Sequence, residues 1–265
     1  MVYIFLVAGK GSRMQPLTFT KPKSMFKLDK NTTLIRRMIT LINKHDEQSR
    51  IIVVTGHMYN SIEEDLVGID NVSFIYNPFY KFTNSIASLW FARDYLDDDN
   101  VVIIDASTAH RTNEGWAYGF PELSAGHKEA IKNGNRIAVP GCYATGFISL
   151  VYPMIAQGLL PADYPVSAFG LSGYSGAGKK VIAAYESEER PVDFDAPREY
   201  ALTQQHKHLK EMKKITGLNK EPLFSPIICD YYSGMVMSVP LYTDMLHNVK
   251  GVEDVHAMLS KFYEG

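Results

Sequence analysis

The sequence predicts an α/β protein that opens with a doubly wound parallel sheet. Two observations carry this expectation. The first hundred or so residues alternate short, β-branched apolar runs with helical stretches. The apolar runs lack polar alternation, as do strands covered on both faces. Val2 to Ala8 reads as the first strand and Asn31 to Asn43 as an amphipathic helix. Arg50 to Gly56, built around Ile51-Ile-Val-Val54, is the second strand, followed by a short helix at Ile62 to Leu66. Val72 to Tyr76 is the third strand, Ser85 to Tyr95 a further helix and Val101 to Asp105 the fourth strand. Ligands of such sheets bind beyond the C-terminal strand ends, which places the loop after Ala8 at the expected mouth.

The bulk numbers bound the function. A chain of 265 residues suffices for one large domain or two smaller ones. Apolar content of 46% and charged content of 21% are ordinary for a soluble globular protein. A net charge of −2 gives no general attraction to nucleic acid or to an anionic membrane, so a small-molecule substrate is expected. Met1 to Ala8 is too short to span a bilayer and has no basic flank, so it reads as a buried strand. Only Cys142 and Cys229 are present, far apart, which fits a reducing cytoplasm.

Two segments carry candidate chemistry. The first is Gly9-Lys-Gly-Ser-Arg-Met-Gln-Pro-Leu-Thr-Phe-Thr-Lys-Pro-Lys23; from Lys10 to Lys27 there are five basic residues and no acidic one. Glycines let a backbone approach a ligand, and successive amides can cradle phosphate. Gly9, Gly11, Ser12, Arg13 and Lys23 are therefore candidate nucleotide contacts. A glycine turn with solvated lysines is the plainer alternative, but here the cations share the loop with the glycines. Met14 holds the third glycine position of a dinucleotide fingerprint, so that motif is incomplete.

The second segment is Arg136-Ile-Ala-Val-Pro-Gly-Cys-Tyr-Ala-Thr-Gly146, just ahead of a helical run from Phe147 to Ala156. Cys142 thus lies just before or at a helix N-terminus, where amides and the helix dipole favour a thiolate. A thiolate attacks acyl groups well and also leaves well. A buried cysteine acting as a small hydrophobe is the alternative; the flanking Pro-Gly and Thr-Gly favour catalysis.

Residues 1–106 resemble the N-terminal half of the sugar-phosphate and phosphocholine nucleotidyltransferases. The shared motif is Gly-x-Gly-Ser/Thr-Arg-Met/Leu-x-Pro-Leu-Thr followed by Lys-Pro-Lys, matched from Gly9 to Lys23. Asn77-Pro-Phe-Tyr and Asn84-Ser-Ile-Ala-Ser-Leu look similar too. The resemblance implies an NTP with Mg²⁺, its triphosphate on Gly9–Arg13 and its reacting phosphate near Lys23. In that family a carboxylate just after the fourth strand holds Mg²⁺, whereas this strand runs Ile103-Ile-Asp-Ala-Ser107 and has Ser107 at that position.

From Asp105 onward the chain looks like N-acetyl-γ-glutamyl-phosphate reductase of the shorter-chain type. The matching pieces are Asp105-Ala-Ser-Thr-Ala-His-Arg-Thr112, Gly115 to Leu123, the Cys142 segment, Gly158 to Pro165, Ser172 to Lys179, His206-Lys-His-Leu-Lys-Glu211 and Gly234 to Pro240. This resemblance implies an α+β catalytic domain with a mostly antiparallel sheet, NADP as cofactor and arginine biosynthesis as setting. It also implies attack by Cys142 on an acyl phosphate, hydride reduction of the thioester, and a histidine moving protons. His206 or His208 is that histidine. In an extended segment the two would share a face, and Glu211 could orient one imidazole. Ser107, His110, Arg111, Ser175 and Gly176 are the implied substrate contacts. Homo-oligomers are common in both families.

Two lookalikes carry less. His206-x-His208-x-x-Glu211 has no third cluster of zinc ligands, so no metal site is expected. Gly173 to Lys179 nearly spells a phosphate loop, but Lys180 replaces the Ser/Thr that would hold Mg²⁺. The sequence therefore reads as a chimera: a nucleotidyltransferase-like half-domain at 1–106 and a reductase-like catalytic domain at 107–265. The reductases' own dinucleotide domain has no counterpart in residues 1–106, so impaired hydride delivery is expected. Nucleotidyl transfer and a non-catalytic nucleotide-binding role are the alternatives.

Overall fold

A computed structural model describes residues 1–10, 18–83, 85–96 and 101–264. Gly11, Ser12 and Arg13 lie outside the described residues. The chain divides into two compact units, Met1–Ile103 and Ile104–Gly265.

The first unit is the parallel α/β half. Its strands are β1 (Val2–Leu6), β2 (Arg50–Thr55), β3 (Val72–Tyr76) and β4 (Val101–Asp105), whose last two residues belong to the second unit. The order is β3-β2-β1-β4, all parallel, with Val2 opposite both Arg50 and Val101. Helices α1 (Leu34–His45), α2 (Tyr59–Leu66) and α3 (Ser85–Phe91) connect them. Ile51, Ile52, Val53 and Val54 are fully buried, as a strand covered on both faces requires.

Boundaries move for local reasons. The helix expected from Asn31 begins at Leu34, because the Asp29 carboxylate accepts the amides of Asn31 and Thr32 and holds them in a turn. Thr33 then caps the helix, its hydroxyl accepting the Arg36 amide. The helix expected over Ser85–Tyr95 stops at Phe91 and tightens into a 3₁₀ turn at Arg93–Tyr95. The short helix expected from Ile62 starts at Tyr59, behind Met58 in the left-handed region (φ 52°).

The second unit continues from β4 through β5 (Ala117–Tyr118), α4 (Ala125–Asn133) and β6 (Arg136–Ala138), with β5 and β6 parallel. The amide of Val139 donates to the Asp105 carbonyl. Next come α5 (Cys142–Ala156), β7 (Ser167–Gly173), α6 (Lys179–Tyr185), β8 (Arg198–Glu199), α7 (Leu209–Thr216), β9 (Leu223–Cys229), β10 (Met235–Ser238) and α8 (Val252–Tyr263). The later strands form a mixed sheet, β10-β7-β9-β8. Two of its three pairings are antiparallel, and the long central pair β7–β9 is parallel. The α/β-then-α+β order predicted from sequence is what the structure shows.

Helix α5 is the axis of the second core. Tyr143, Ala144, Phe147, Ile148, Val151 and Met154 are all buried on it. Burying each large side chain contributes about 1.5–3 kcal/mol, so the helix is held along its length. It packs against α7, α8 and β10. Close approach to the sheet depends on small residues. A Cβ at Gly170 of β7 would sit 2.7 Å from the Tyr143 ring. Pro153 interrupts α5 internally and cannot supply the amide that the Ser149 carbonyl would otherwise receive. The Tyr263 hydroxyl of α8 donates to that carbonyl at 2.8 Å.

Candidate active site

Cys142 is the first residue of α5, and its side chain is exposed while Gly141 and Tyr143 on either side are buried. The helix therefore begins five residues earlier than the apolar run from Phe147 implies. Gly141, the N-cap, offers no side-chain cap, so first-turn amides remain available to an anion at the thiol.

The backbone ahead of the cysteine is held by a buried network. Glu211 Oε1 accepts the Gly141 amide at 2.9 Å and the Tyr118 hydroxyl at 2.8 Å. Glu211 Oε2 pairs with Arg111 Nη1 at 3.2 Å. Arg111 also donates from Nε to the Val139 carbonyl at 2.8 Å and from Nη2 to the Ala106 carbonyl at 3.1 Å. The two charged side chains are only 8% and 2% exposed. Burial first, then the Glu211 charge, drives Tyr118 far above the ordinary phenol range, so its hydroxyl stays protonated and donates.

Two sequence expectations change here. Glu211 was expected to orient an imidazole; its partners among the described residues are instead Arg111, Tyr118 and the Gly141 amide. Arg111 was expected to meet substrate; its guanidinium is engaged by two carbonyls and Glu211. The physical reason is the same for both. A buried charge must be paired and its donors satisfied, and each is the other's partner.

The histidines do not lie in an extended segment. His206 precedes a turn, and His208 is the helical N-cap of α7 (φ −89°, ψ −10°). The rings still meet, edge to face, with centroids 4.8 Å apart. The His208 amide donates to His206 Nδ1 at 3.2 Å, which places the proton of a neutral His206 on Nε2. His208 presses against the cysteine loop. A Cβ at Gly141 would overlap His208 Nε2 and lie 2.6 Å from Arg111 Nη1.

Burial, then the charges of His206, Arg111 and Lys207, push His208 down to about 3. Burial, then Lys207, also lowers His206. Both rings are neutral near pH 7. Unfolded, they return to about 6.5 and bind protons that the fold excludes. Their neutral burial therefore leaves stability intact above about pH 6.5 and erodes it as pH falls from there toward 3. Unfolding free energies from urea melts between pH 7 and 4.5 should drop by at most about 1.4 kcal/mol per pH unit from His208. His208→Gln should flatten that slope, and an unchanged slope would contradict the assignment.

Tyrosines complete the site, and sequence reasoning missed them. The Tyr200 hydroxyl donates to Tyr143 at 3.3 Å, and Tyr143 shares a 2.6 Å hydrogen bond with Ser172. Burial, then Tyr143, then the Cys142 charge raise Tyr200 well above the phenol range. Tyr118 lay within a segment quoted for its resemblance, but nothing local marks Tyr200.

The remaining expected contacts fall outside this cluster. Ser107 donates its hydroxyl and amide to the Asp105 carboxylate, forming a turn. His110 stacks flat on Trp116, centroids 4.1 Å apart. Ser175 and Gly176 lie in a 3₁₀ turn at Tyr174–Ala177, and no hydrogen bond among the described residues joins them to Cys142. In the first unit, Gly9 borders open space and Lys23 is exposed. One shallow cleft is lined by Glu63, Val67 and Phe74, and another by Ser124, Tyr152 and Phe262. Neither is lined by a cysteine or histidine. Among the described residues no three His, Cys, Asp or Glu side chains are grouped to hold a metal, and no helix is long and apolar enough to cross a membrane.

A dinucleotide in a doubly wound sheet rests its pyrophosphate on a helix opened by the first-strand loop, and a residue ending the second strand takes the ribose. Among the described residues, β1 is followed by a single 3₁₀ turn at Lys23–Met25 and no α-helix before Leu34. Strand β2 ends in Thr55, which is fully buried. The described residues do not fit a dinucleotide.

This pairing of a parallel α/β unit with a cysteine-headed helix is the sign of a chain built from two families. Residues 2–135 match the nucleotidyl transferase family, and through them the chain belongs to it. Residues 142–265 match the semialdehyde dehydrogenase dimerisation domain. N-acetyl-gamma-glutamyl-phosphate reductase 2 of Nostoc sp. is 42% identical over 174 residues, covering 64% of this chain and 54% of that protein. N-acetyl-gamma-glutamyl-phosphate reductase of Brucella ovis is 45% identical over 165 residues, covering 62% and 53%. The chain thus spans about half the length of the curated relatives it matches. Aspartate semialdehyde dehydrogenase II from Vibrio cholerae superposes with a TM-score of 0.54 at 13% identity, covering 98% of this chain and 78% of that one. That likeness is one of fold.

Proposed function

We propose that the second unit takes an acyl group from an acyl phosphate onto Cys142 as a thioester, the first half of acyl-phosphate reduction. One observation carries this reading: an exposed cysteine heads a buried helix, its preceding amide held by Glu211 beside two neutral histidines. The thiolate attacks the carbonyl carbon, the C–S bond forms, and the bond to the phosphate oxygen breaks. First-turn amides of α5 are placed to steady the anion at the carbonyl oxygen. His206, carrying its proton on Nε2, is suited to donate a hydrogen bond to the departing phosphate, which leaves as the anion, and the thiol proton leaves to solvent. Similarity to the reductases makes N-acetyl-γ-glutamyl phosphate the acyl donor of choice and arginine biosynthesis the setting. A free thiol of this kind needs a reducing compartment, such as the cytoplasm.

Reduction of the thioester by NADP chemistry would complete the reaction of the named relatives. Because the described residues of the first unit do not fit a dinucleotide, we propose that this half is impaired. The test is incubation with N-acetyl-γ-glutamyl phosphate followed by intact mass, with and without NADPH. An acyl adduct on Cys142 that persists with NADPH supports the proposal. Absence of any adduct sinks it. Nucleotidyl transfer is favoured by the family of residues 2–135; pyrophosphate release from an NTP with Mg²⁺ and a phosphorylated alcohol would establish it.

Self-association is proposed through the open face of the mixed sheet. Phe169, Leu223 and Val236 are 39%, 66% and 58% exposed there. Phe169 and Val236 lie on the same side of the antiparallel pair β7–β10, opposite the α5-facing Gly170 and Met237. An apolar sheet face of this kind is the surface a dimerisation domain would cover. Light scattering of Val236→Glu should show a lower mass than the parent, and an unchanged mass would rule this face out.

A further inference from the structure

We propose that the buried Arg111–Glu211 pair positions and charge-balances the nucleophile: Glu211 fixes the Gly141 peptide, and Arg111 cancels the carboxylate's field at the Cys142 thiol. The inference rests on the reading of Cys142 as a nucleophile and gives two residues outside the reaction a defined part in it.

The geometry separates the two tasks. Glu211 holds the peptide one residue before Cys142 through a 2.9 Å bond to the Gly141 amide. Tyr118 shares the same carboxylate oxygen, which limits its movement. Arg111 ties the carboxylate to the carbonyls of Ala106 and Val139, behind β4 and β6. The cysteine loop is thereby clamped from β4, β6 and α7 at once. Gly141 admits this close approach because it has no Cβ.

The charges then have opposite effects on the sulfur. A carboxylate this near opposes loss of the thiol proton, and a guanidinium favours it. At an effective dielectric near 20, one uncompensated charge within several ångströms shifts a neighbouring titration by about one pH unit or more. The other ionisable groups around the loop are Tyr143 of α5, His206, Lys207 and His208 ahead of α7, Tyr118 of β5, and Tyr200. The histidines are neutral near pH 7 and Tyr118 and Tyr200 are protonated, so the pair supplies the fixed charges beside the peptide that precedes Cys142, and Lys207 is exposed.

The experiment follows the pH dependence of Cys142 alkylation by iodoacetamide in the full chain, read by peptide mass. Glu211→Gln keeps an oxygen acceptor for Gly141 and Tyr118 but removes the charge, so the midpoint should fall by about one pH unit. Arg111→Met leaves the carboxylate uncompensated, so the midpoint should rise by a similar amount. The double variant should return close to the parent, and Arg111→Lys should stay near it. A purely structural brace would move both single variants the same way or neither; either result overturns the proposal. Should Arg111→Met not fold, Glu211→Gln decides alone: a midpoint that stays or rises is fatal. The assay uses neither acyl phosphate nor dinucleotide, so failure of the acylation reading leaves a separate signature.

Discussion

Cys142→Ala is expected to leave no acyl adduct after exposure to an acyl phosphate, a loss of at least about 10³-fold in transfer. The reasoning is specific to the sulfur. Alanine removes the atom that bonds to the acyl carbon, and no other thiol can replace it, because Cys229 is buried at the end of β9. The fold should be unaffected. Cys142 is exposed and adds nothing to the α5 core, so stability should stay within about 0.5 kcal/mol of the parent. Cys142→Ser places a hydroxyl at the same point, but without a thiolate it should acylate far more slowly. Intact mass and a melting curve on the same samples check both statements. An adduct that survives in Cys142→Ala would remove the sulfur from the mechanism.

Gly141→Ala carries the second large effect. Its new methyl would overlap His208 Nε2 and sit 2.6 Å from Arg111 Nη1. Neither neighbour can retreat cheaply. Arg111 is tied to Val139, Ala106 and Glu211, and His208 is buried as the N-cap of α7. Overpacking of this kind costs about 1–3 kcal/mol. The loop should shift by a fraction of an ångström or more, and such misplacement lowers transfer by about 10–100-fold. Gly176→Ala is the matched control, since a Cβ there meets nothing within 4 Å. Denaturant melts and acylation rates on both variants test the argument. Equal behaviour of the two would mean that the loop is not packed as described.

How much of this was legible beforehand depended on the range of the interactions. β3 and β4 could be bounded to the residue, because continuous apolar runs between polar turns need no distant partner. The start of α5 could not, because Cys142 to Gly146 contains β-branched and glycine residues that disfavour helix alone. Its burial in the second core overrides that preference. Cys142 itself was legible from Pro-Gly on one side and Thr-Gly on the other. The role of Glu211 was not, since its partners lie 70, 93 and 100 residues away. Spacing within His206 to Glu211 suggested an imidazole partner, whereas a buried charge is answered by whichever opposite charge the fold delivers.

Pro153 gives the helix headed by Cys142 a dependence on a residue of α8. The phenol of Tyr263, 114 residues beyond Ser149, fills the gap that the proline leaves there. A tag, trim or fusion that displaces Tyr263 therefore removes the donor that answers the Ser149 carbonyl on the helix headed by Cys142.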